Sequence, residues 1–180
     1  LLIHKAIGNR QKCVFVNNGL LRLNEEKEIE EMFGNNFNVN FTAVDAAQVF
    51  LSKLKGVEDP EKKRMIVGEE FIHVFTEFAK KNGPFKWLAQ GTLYPDVIES
   101  GVSKGPAAII KTHHNVGGLP DWLDLQILEP LRDLYKDEVR KIAKILGVPE
   151  KLFMRHPFPG PGLAVRIIGE VTPAKLQIAK

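Results

Sequence analysis

Short apolar runs recur along this chain, each ending in a polar turn and followed by a stretch with helical spacing. That alternation constrains the fold more than any other feature. Cys13-Val-Phe-Val16 is apolar at consecutive positions and leads into Asn17-Asn-Gly19, the pattern of a strand buried on both faces and closed by a turn. Residues 39–44, 87–89 and 125–128 are further strand candidates. Between them lie helices with readable ends. Leu1 to Ile7 reads as helix closed by Gly8. Asn24 is expected to cap a helix with Glu25 and Glu26 in its first turn, stopping at Gly34. Asp45 caps a short helix, and Asp59-Pro60 opens a long one reaching about Lys80, with Met65, Ile72, Phe75 and Ala79 at helical spacing. Asn82-Gly-Pro84 ends it. Tyr135, Val139, Ile142, Ala143 and Leu146 mark another helix, closed by Gly147 and Pro149. Strand and helix thus alternate, which predicts an α/β chain with right-handed crossovers and a parallel sheet covered by helices on both faces. Ligands of such sheets bind beyond the carboxyl ends of the strands, where Asn17, Gln90 and the loop after Glu129 fall.

Composition narrows the function classes. A net charge of +3 over 180 residues, without a dense Lys/Arg run, does not point to nucleic acid. The single cysteine, Cys13, excludes an intramolecular disulfide and fits a reducing compartment; mid-strand, it reads as a core residue rather than a nucleophile. No apolar run is long enough to span a bilayer, and Leu1-Leu-Ile3 is too short for a signal peptide. A cytoplasmic protein without a membrane partner is the expectation. The chain opens mid-pattern without Met and closes inside a helix begun at Thr172-Pro173, so it is expected to be an internal piece of a longer protein.

Three stretches carry chemistry. Asp96 and Glu99 stand three apart just after a strand end; on a helix they share a face and suit a magnesium ion, although a cap and a solvated glutamate explain them equally. Lys111-Thr-His-His-Asn115, followed by Gly117-Gly118, groups donors and a cation suited to phosphate with a hinge, against the plain reading of an exposed polar loop. Gln90-Gly-Thr92 lets backbone approach a ligand, but no phosphate-binding G-x-x-x-x-G-K-[ST] loop exists. Arg64, in Lys62-Lys-Arg64 on a helix, reads as part of a solvated face. His156-Pro-Phe-Pro-Gly-Pro-Gly162 cannot be helix or central strand and reads as a rigid corner, with a domain boundary near residue 153. Residues 165–168 are expected to begin a new strand, whose Arg166 would meet an anion or a carboxylate.

Together Val16-Asn-Asn-Gly-Leu-Leu-Arg22, Asp59-Pro-Glu-Lys-Lys-Arg64, Leu88-Ala-Gln-Gly-Thr-Leu-Tyr-Pro-Asp-Val-Ile-Glu-Ser100, Ile110-Lys-Thr-His-His-Asn-Val-Gly-Gly-Leu-Pro120, Glu129-Pro-Leu131 and Arg155-His-Pro-Phe-Pro-Gly-Pro-Gly-Leu-Ala-Val-Arg166 resemble the glutamine-hydrolysing GMP synthetases, in that family's order and over essentially the whole chain. The resemblance implies a Rossmann-like ATP-pyrophosphatase domain of the adenine nucleotide alpha-hydrolase type over residues 1–153, and the start of a small α+β dimerisation domain over 154–180. It implies conversion of xanthosine monophosphate (XMP) to GMP with ATP, Mg²⁺ and ammonia from a glutaminase domain or subunit, through an adenylyl-XMP intermediate, in a homodimer. By motif position, Val16, Asn17, Leu88, Gln90, Gly91 and Thr92 would line adenine and ribose. Asp96 and Glu99 would organise ATP and Mg²⁺, while Lys111, His113 and His114 would close over the phosphates. Arg64, Pro161, Gly162 and Arg166 would address XMP.

There are departures from the family pattern. The Ser-Gly-Gly-Val-Asp-Ser pyrophosphate loop, expected just before Leu1, and the glutaminase domain are not in this sequence, and position 17 is Asn where members usually have Asp. The polypeptide by itself is therefore expected to be inactive, the alternative being a degenerate subunit that binds nucleotide without catalysis. An NAD synthetase, an asparagine synthetase or an RNA-thiolating enzyme is disfavoured by the Pro/Gly corner and the weak net charge.

Overall fold

The computed structural model describes residues 1–101, 125–156 and 158–180, with backbone alone at 35–36 and 99–101. The elements, in chain order, are α1 (Leu2–Ile7), β1 (Cys13–Asn17), α2 (Glu25–Glu31), β2 (Phe41–Asp45), α3 (Ala47–Lys53), α4 (Pro60–Asn82), β3 (Trp87–Ala89), α5 (Tyr94–Gly101), β4 (Gln126–Leu128), α6 (Lys136–Ile145), α7 (Glu150–Phe153) and α8 (Pro173–Ala179). By packing they fall into two units, residues 1–78 with 158–180, and residues 79–157.

In the first unit β1 pairs with β2 in parallel, from Cys13 opposite Phe41 to Asn17 opposite Asp45. A parallel pair needs a crossover, and α2 supplies it. Asp45 Oδ1 accepts from the Ala47 amide at 3.1 Å, so it starts α3 as expected. Asp59 does the same for α4, accepting from the Lys62 amide at 2.8 Å ahead of Pro60. At the far end Thr172 Oγ1 accepts from Lys175 at the start of α8.

The core of this unit gathers Val16, Leu20, Ala46, Phe50, Leu54 and Val67 with Leu163, Ala164, Ile167, Val171 and Leu176. Phe50 is fully buried and meets Phe71 edge-on, centroids 5.0 Å apart. Two glycines allow the close packing. Gly19 (φ +74°) turns the chain after β1, where a Cβ would lie 3.0 Å from that of Ala47 on α3. Gly162 (φ +62°) lies against the Leu20 carbonyl, and the next amide, of Leu163, donates to that oxygen at 2.8 Å.

In the second unit β3 and β4 are parallel, Trp87 opposite Gln126 and Ala89 opposite Leu128. The Tyr94 ring packs edge-on to that of Tyr135, centroids 5.2 Å apart. At the start of α6 the Glu138 carboxylate accepts from the Tyr135 amide at 2.8 Å, and the helix is followed by Gly147 at φ +77°.

Several local expectations fail. Asn24 sits in the left-handed region (φ 60°) and makes no side-chain cap; Glu25 instead takes the Arg22 amide through its carboxylate. Its helix does not stop at Gly34 but widens into a π turn over Met32–Asn36. Met65 is 57% exposed, the apolar face of α4 being Val67, Phe71, Val74 and Phe75. Residues 165–168 form no strand. Gly162–Val165 is a 3₁₀ turn, because the backbone there bonds to Leu20 and to itself rather than to a neighbouring strand. Arg166, exposed at the end of this turn, lays its guanidinium over the Phe158 ring, 5.0 Å from the centroid.

Candidate functional site

Polar groups collect at the carboxyl ends of both strand pairs. In the second unit the Gln90 amide donates to Leu128 O at 2.9 Å, extending the ladder one step beyond β3. Thr92, 7% exposed, then donates its hydroxyl to Glu129 Oε1 at 2.6 Å, tying the turn after β3 to the residue after β4. Arg132 forms an ion pair with the other Glu129 oxygen. The Thr92 hydroxyl first, and the Arg132 guanidinium after it, hold the Glu129 carboxyl below its usual range, against the burial that pushes it up. Glu129 is thus a fixed negative group at the strand tips. Sequence reading placed the loop after Glu129 at this edge and Glu129-Pro-Leu131 among the family blocks, but gave the carboxylate itself no role.

Gly91 beside it is exposed, and a Cβ there would meet none of the described residues within 4 Å. Asp96 lies in the first turn of α5 and accepts from the Leu93 amide through Oδ2 at 2.9 Å. Both α5 carboxylates lie in one helix, Glu99 one turn past Asp96. Among the described residues, no group of three His, Cys, Asp or Glu side chains is arranged to hold a metal ion. Magnesium usually keeps its waters and takes only one or two protein carboxylates beside phosphate oxygens, so the spacing of positions 96 and 99 along α5 is compatible with it without a cage. Leu88 is the middle residue of β3. Lys111, His113 and His114 lie outside the described residues.

In the first unit β1 ends with Val16, buried, and Asn17. The Asn17 side chain folds back, its Oδ1 accepting from the Gly19 amide at 2.9 Å, while its carbonyl accepts from the Ala46 amide. Asn18, buried, likewise accepts from the Leu20 amide, so the turn is held by two side-chain loops in succession. Cys13 belongs to the same strand, and burial pushes its thiol pKa up, which makes it a poor nucleophile.

The Pro/Gly corner meets this turn. Phe158 stacks under Arg22, whose guanidinium lies 4.4 Å from the ring centroid, and Gly162 follows against Leu20. Arg64, half-exposed on α4, pairs with Glu61 one turn earlier. The expected solvated face does not extend to its neighbour Lys63, which is 1% exposed and donates to the carbonyls of Ala164 (3.1 Å), Ile167 (2.7 Å) and Gly169 (2.6 Å). The signal was present in the helical register, because positions 63, 67, 71 and 74 share a face.

These features define a class, an α/β protein with parallel strands and polar groups at the strand tips. No family model matches the chain. Curated relatives narrow the class. The chain is 58% identical over all 180 residues to "GMP synthase [glutamine-hydrolyzing]" of Maridesulfovibrio salexigens, covering 35% of that protein. It is 58% identical over 180 residues to the protein of that name from Thermotoga petrophila, covering 36%, and 59% identical over 181 aligned residues to that from Acetivibrio thermocellus, covering 35%. The likeness to GMP synthetase read from the motifs therefore extends from the first residue to the last. The chain spans about a third of the length of the curated relatives it matches. No described helix is long and apolar enough to cross a membrane.

Proposed function

We propose that this chain is the nucleotide-activating part of a glutamine-hydrolysing GMP synthase, with an ATP-pyrophosphatase-type Rossmann-like sheet and the first residues of a dimerisation domain. The reaction joins XMP to AMP. The purine 2-oxygen attacks the α-phosphorus of ATP, pyrophosphate leaves, and ammonia from a glutaminase displaces AMP from C2. The observation that carries the reading is the 58% identity along all 180 residues to proteins of that name.

The chain's own groups suit the work. Adenylyl transfer is mostly positioning and neutralisation of charge growing on bridging oxygens. Val16 and Asn17, and the segment Leu88 to Thr92, would line adenine and ribose, the Thr92–Glu129 bond holding the Gln90–Gly91 backbone in place. Asp96 and Glu99 would hold a magnesium ion, which when bound would supply charge neutralisation at the phosphates. Lys111, His113 and His114 would address the triphosphate. Arg64, Pro161, Gly162 and Arg166 would receive XMP, the arginines matching its phosphate.

The test uses a protein spanning the full length of the curated relatives, supplied with ATP, XMP and ammonium. AMP and pyrophosphate should appear only when XMP is present, and Lys111→Ala should slow their release by about two to three orders of magnitude, as loss of a preorganised charge does. AMP release that ignores XMP would contradict the proposal.

A further inference from the structure

Lys63 is the most deeply buried cation among the described residues, and its partners are not carboxylates. Its ammonium has three protons, and three backbone carbonyls take them, those of Ala164, Ile167 and Gly169. An ammonium withdrawn from water is strongly disfavoured unless every proton is satisfied, so this arrangement is tolerated because all three acceptors converge. They lie at and just beyond the C-terminal end of the 3₁₀ turn Gly162–Val165, where backbone dipoles leave negative charge. Burial and the nearby Lys175 push the Lys63 pKa down, while Glu58 and Asp59 oppose them.

The same segment is held at its surface. Lys175 donates to the carbonyls of Ile168 (3.0 Å) and Glu170 (3.2 Å), and Glu170 accepts from the Gly56 amide at 2.7 Å. What separates the two lysines is depth and sequence. Lys175 is exposed and only a few residues from its acceptors, whereas Lys63 reaches across more than a hundred residues from α4. The ammonium of Lys63 therefore fixes one element against another.

We propose that Lys63 is a positioning residue for the XMP site, fastening the Pro161–Arg166 segment to the helix that carries Arg64, its immediate neighbour. This rests on the assignment of Arg64, Pro161, Gly162 and Arg166 to XMP. Lys63 touches no substrate; it sets the place of residues that do. An apolar side chain of equal length would leave three carbonyls unpaired in the interior, and the segment would shift to recover them.

Lys63→Met in the full-length protein tests this. The KM for XMP should rise about tenfold or more, with the KM for ATP within about twofold and thermal unfolding still cooperative. Lys63→Gln, which keeps two donors, should fall between, and Lys175→Met should leave the XMP KM within about twofold. An unchanged XMP KM in a folded Lys63→Met protein, or an equal rise for ATP and XMP, overturns the proposal; should that variant not fold, Lys63→Gln decides by the same split. The fastening is also readable without activity. In Lys63→Met the amides of Arg166 and Ile167, which donate to Leu163 O, should exchange with solvent about tenfold faster or more, while those of β1 keep their protection. Unchanged exchange overturns the fastening whatever the substrate. Faster exchange in a protein that ignores XMP upholds the fastening and instead overturns the assignment of the substrate.

Discussion

The unit built on β1 and β2 and the unit built on β3 and β4 each contain a parallel strand pair, yet they bury different things. Every deeply buried apolar side chain among the described residues lies in the first, from Val16 on β1 through Phe50 on α3 to Leu176 on α8. In the second, the strands are three residues long, with Trp87 and Leu128 exposed, and the deeply buried described residue is a threonine. The first unit is held by apolar area, worth about 1.5–3 kcal/mol for each large side chain removed from water. Among the described residues of the second, the deepest contacts are hydrogen bonds at the strand tips, worth about 1 kcal/mol each. The difference teaches where substitutions should act: on folding in one unit, on the placement of a few polar groups in the other.

The largest expected effect breaks or upholds this contrast directly. Phe50→Ala should cost about 3–5 kcal/mol in equilibrium denaturation, because it empties the centre of the core. Leu88→Ala, at the middle of the half-covered β3, should cost about 1–2 kcal/mol by area alone. Equal costs would erase the distinction between the units.

Gly162→Ala comes next. The new Cβ would press on the Leu20 carbonyl at a backbone angle of φ +62°, so about 2 kcal/mol or more should be lost. Faster amide exchange at Leu163 would locate the damage; an Ala variant of wild-type stability would show that the close approach is dispensable.

Thr92→Val sharpens the other side of the comparison. Losing the hydroxyl that donates to Glu129 should cost about 1 kcal/mol. The pH dependence carries its own sign. The folded Glu129 pKa lies below the unfolded one, so its contribution is complete above the ordinary glutamate value near about 4.3 and is lost as the pH falls through the lower, folded value. Denaturation midpoints measured across that acid window should therefore fall less steeply in Thr92→Val than in the unsubstituted chain.

Much of the scaffold was legible because its signals are local. The apolar run before Asn17 gave β1, Asp59-Pro60 gave the start of α4, and Thr172-Pro173 gave α8. What was not legible depended on distant partners. Lys63 read as one of three solvated cations because its acceptors are more than a hundred residues away. Val165 to Ile168 read as a strand because a short apolar run has no periodicity to tell strand from turn, and the deciding contact is that of Leu163 with Leu20. Asn24 has the composition of a cap, but its left-handed backbone removes the geometry. Of the candidate site, the positions of Gln90, Thr92 and Asp96 past β3 followed from the pattern. The pairing of Thr92 with Glu129 did not, since it joins two strand ends that the sequence keeps apart.

The most direct test of the central claim follows an atom. XMP labelled with ¹⁸O at the purine 2-position, given to the full-length protein with ATP and ammonium, should transfer its label to the phosphate of the AMP released. Label that stays out of AMP and appears in pyrophosphate or water would contradict activation of that oxygen, and with it the reading of this chain.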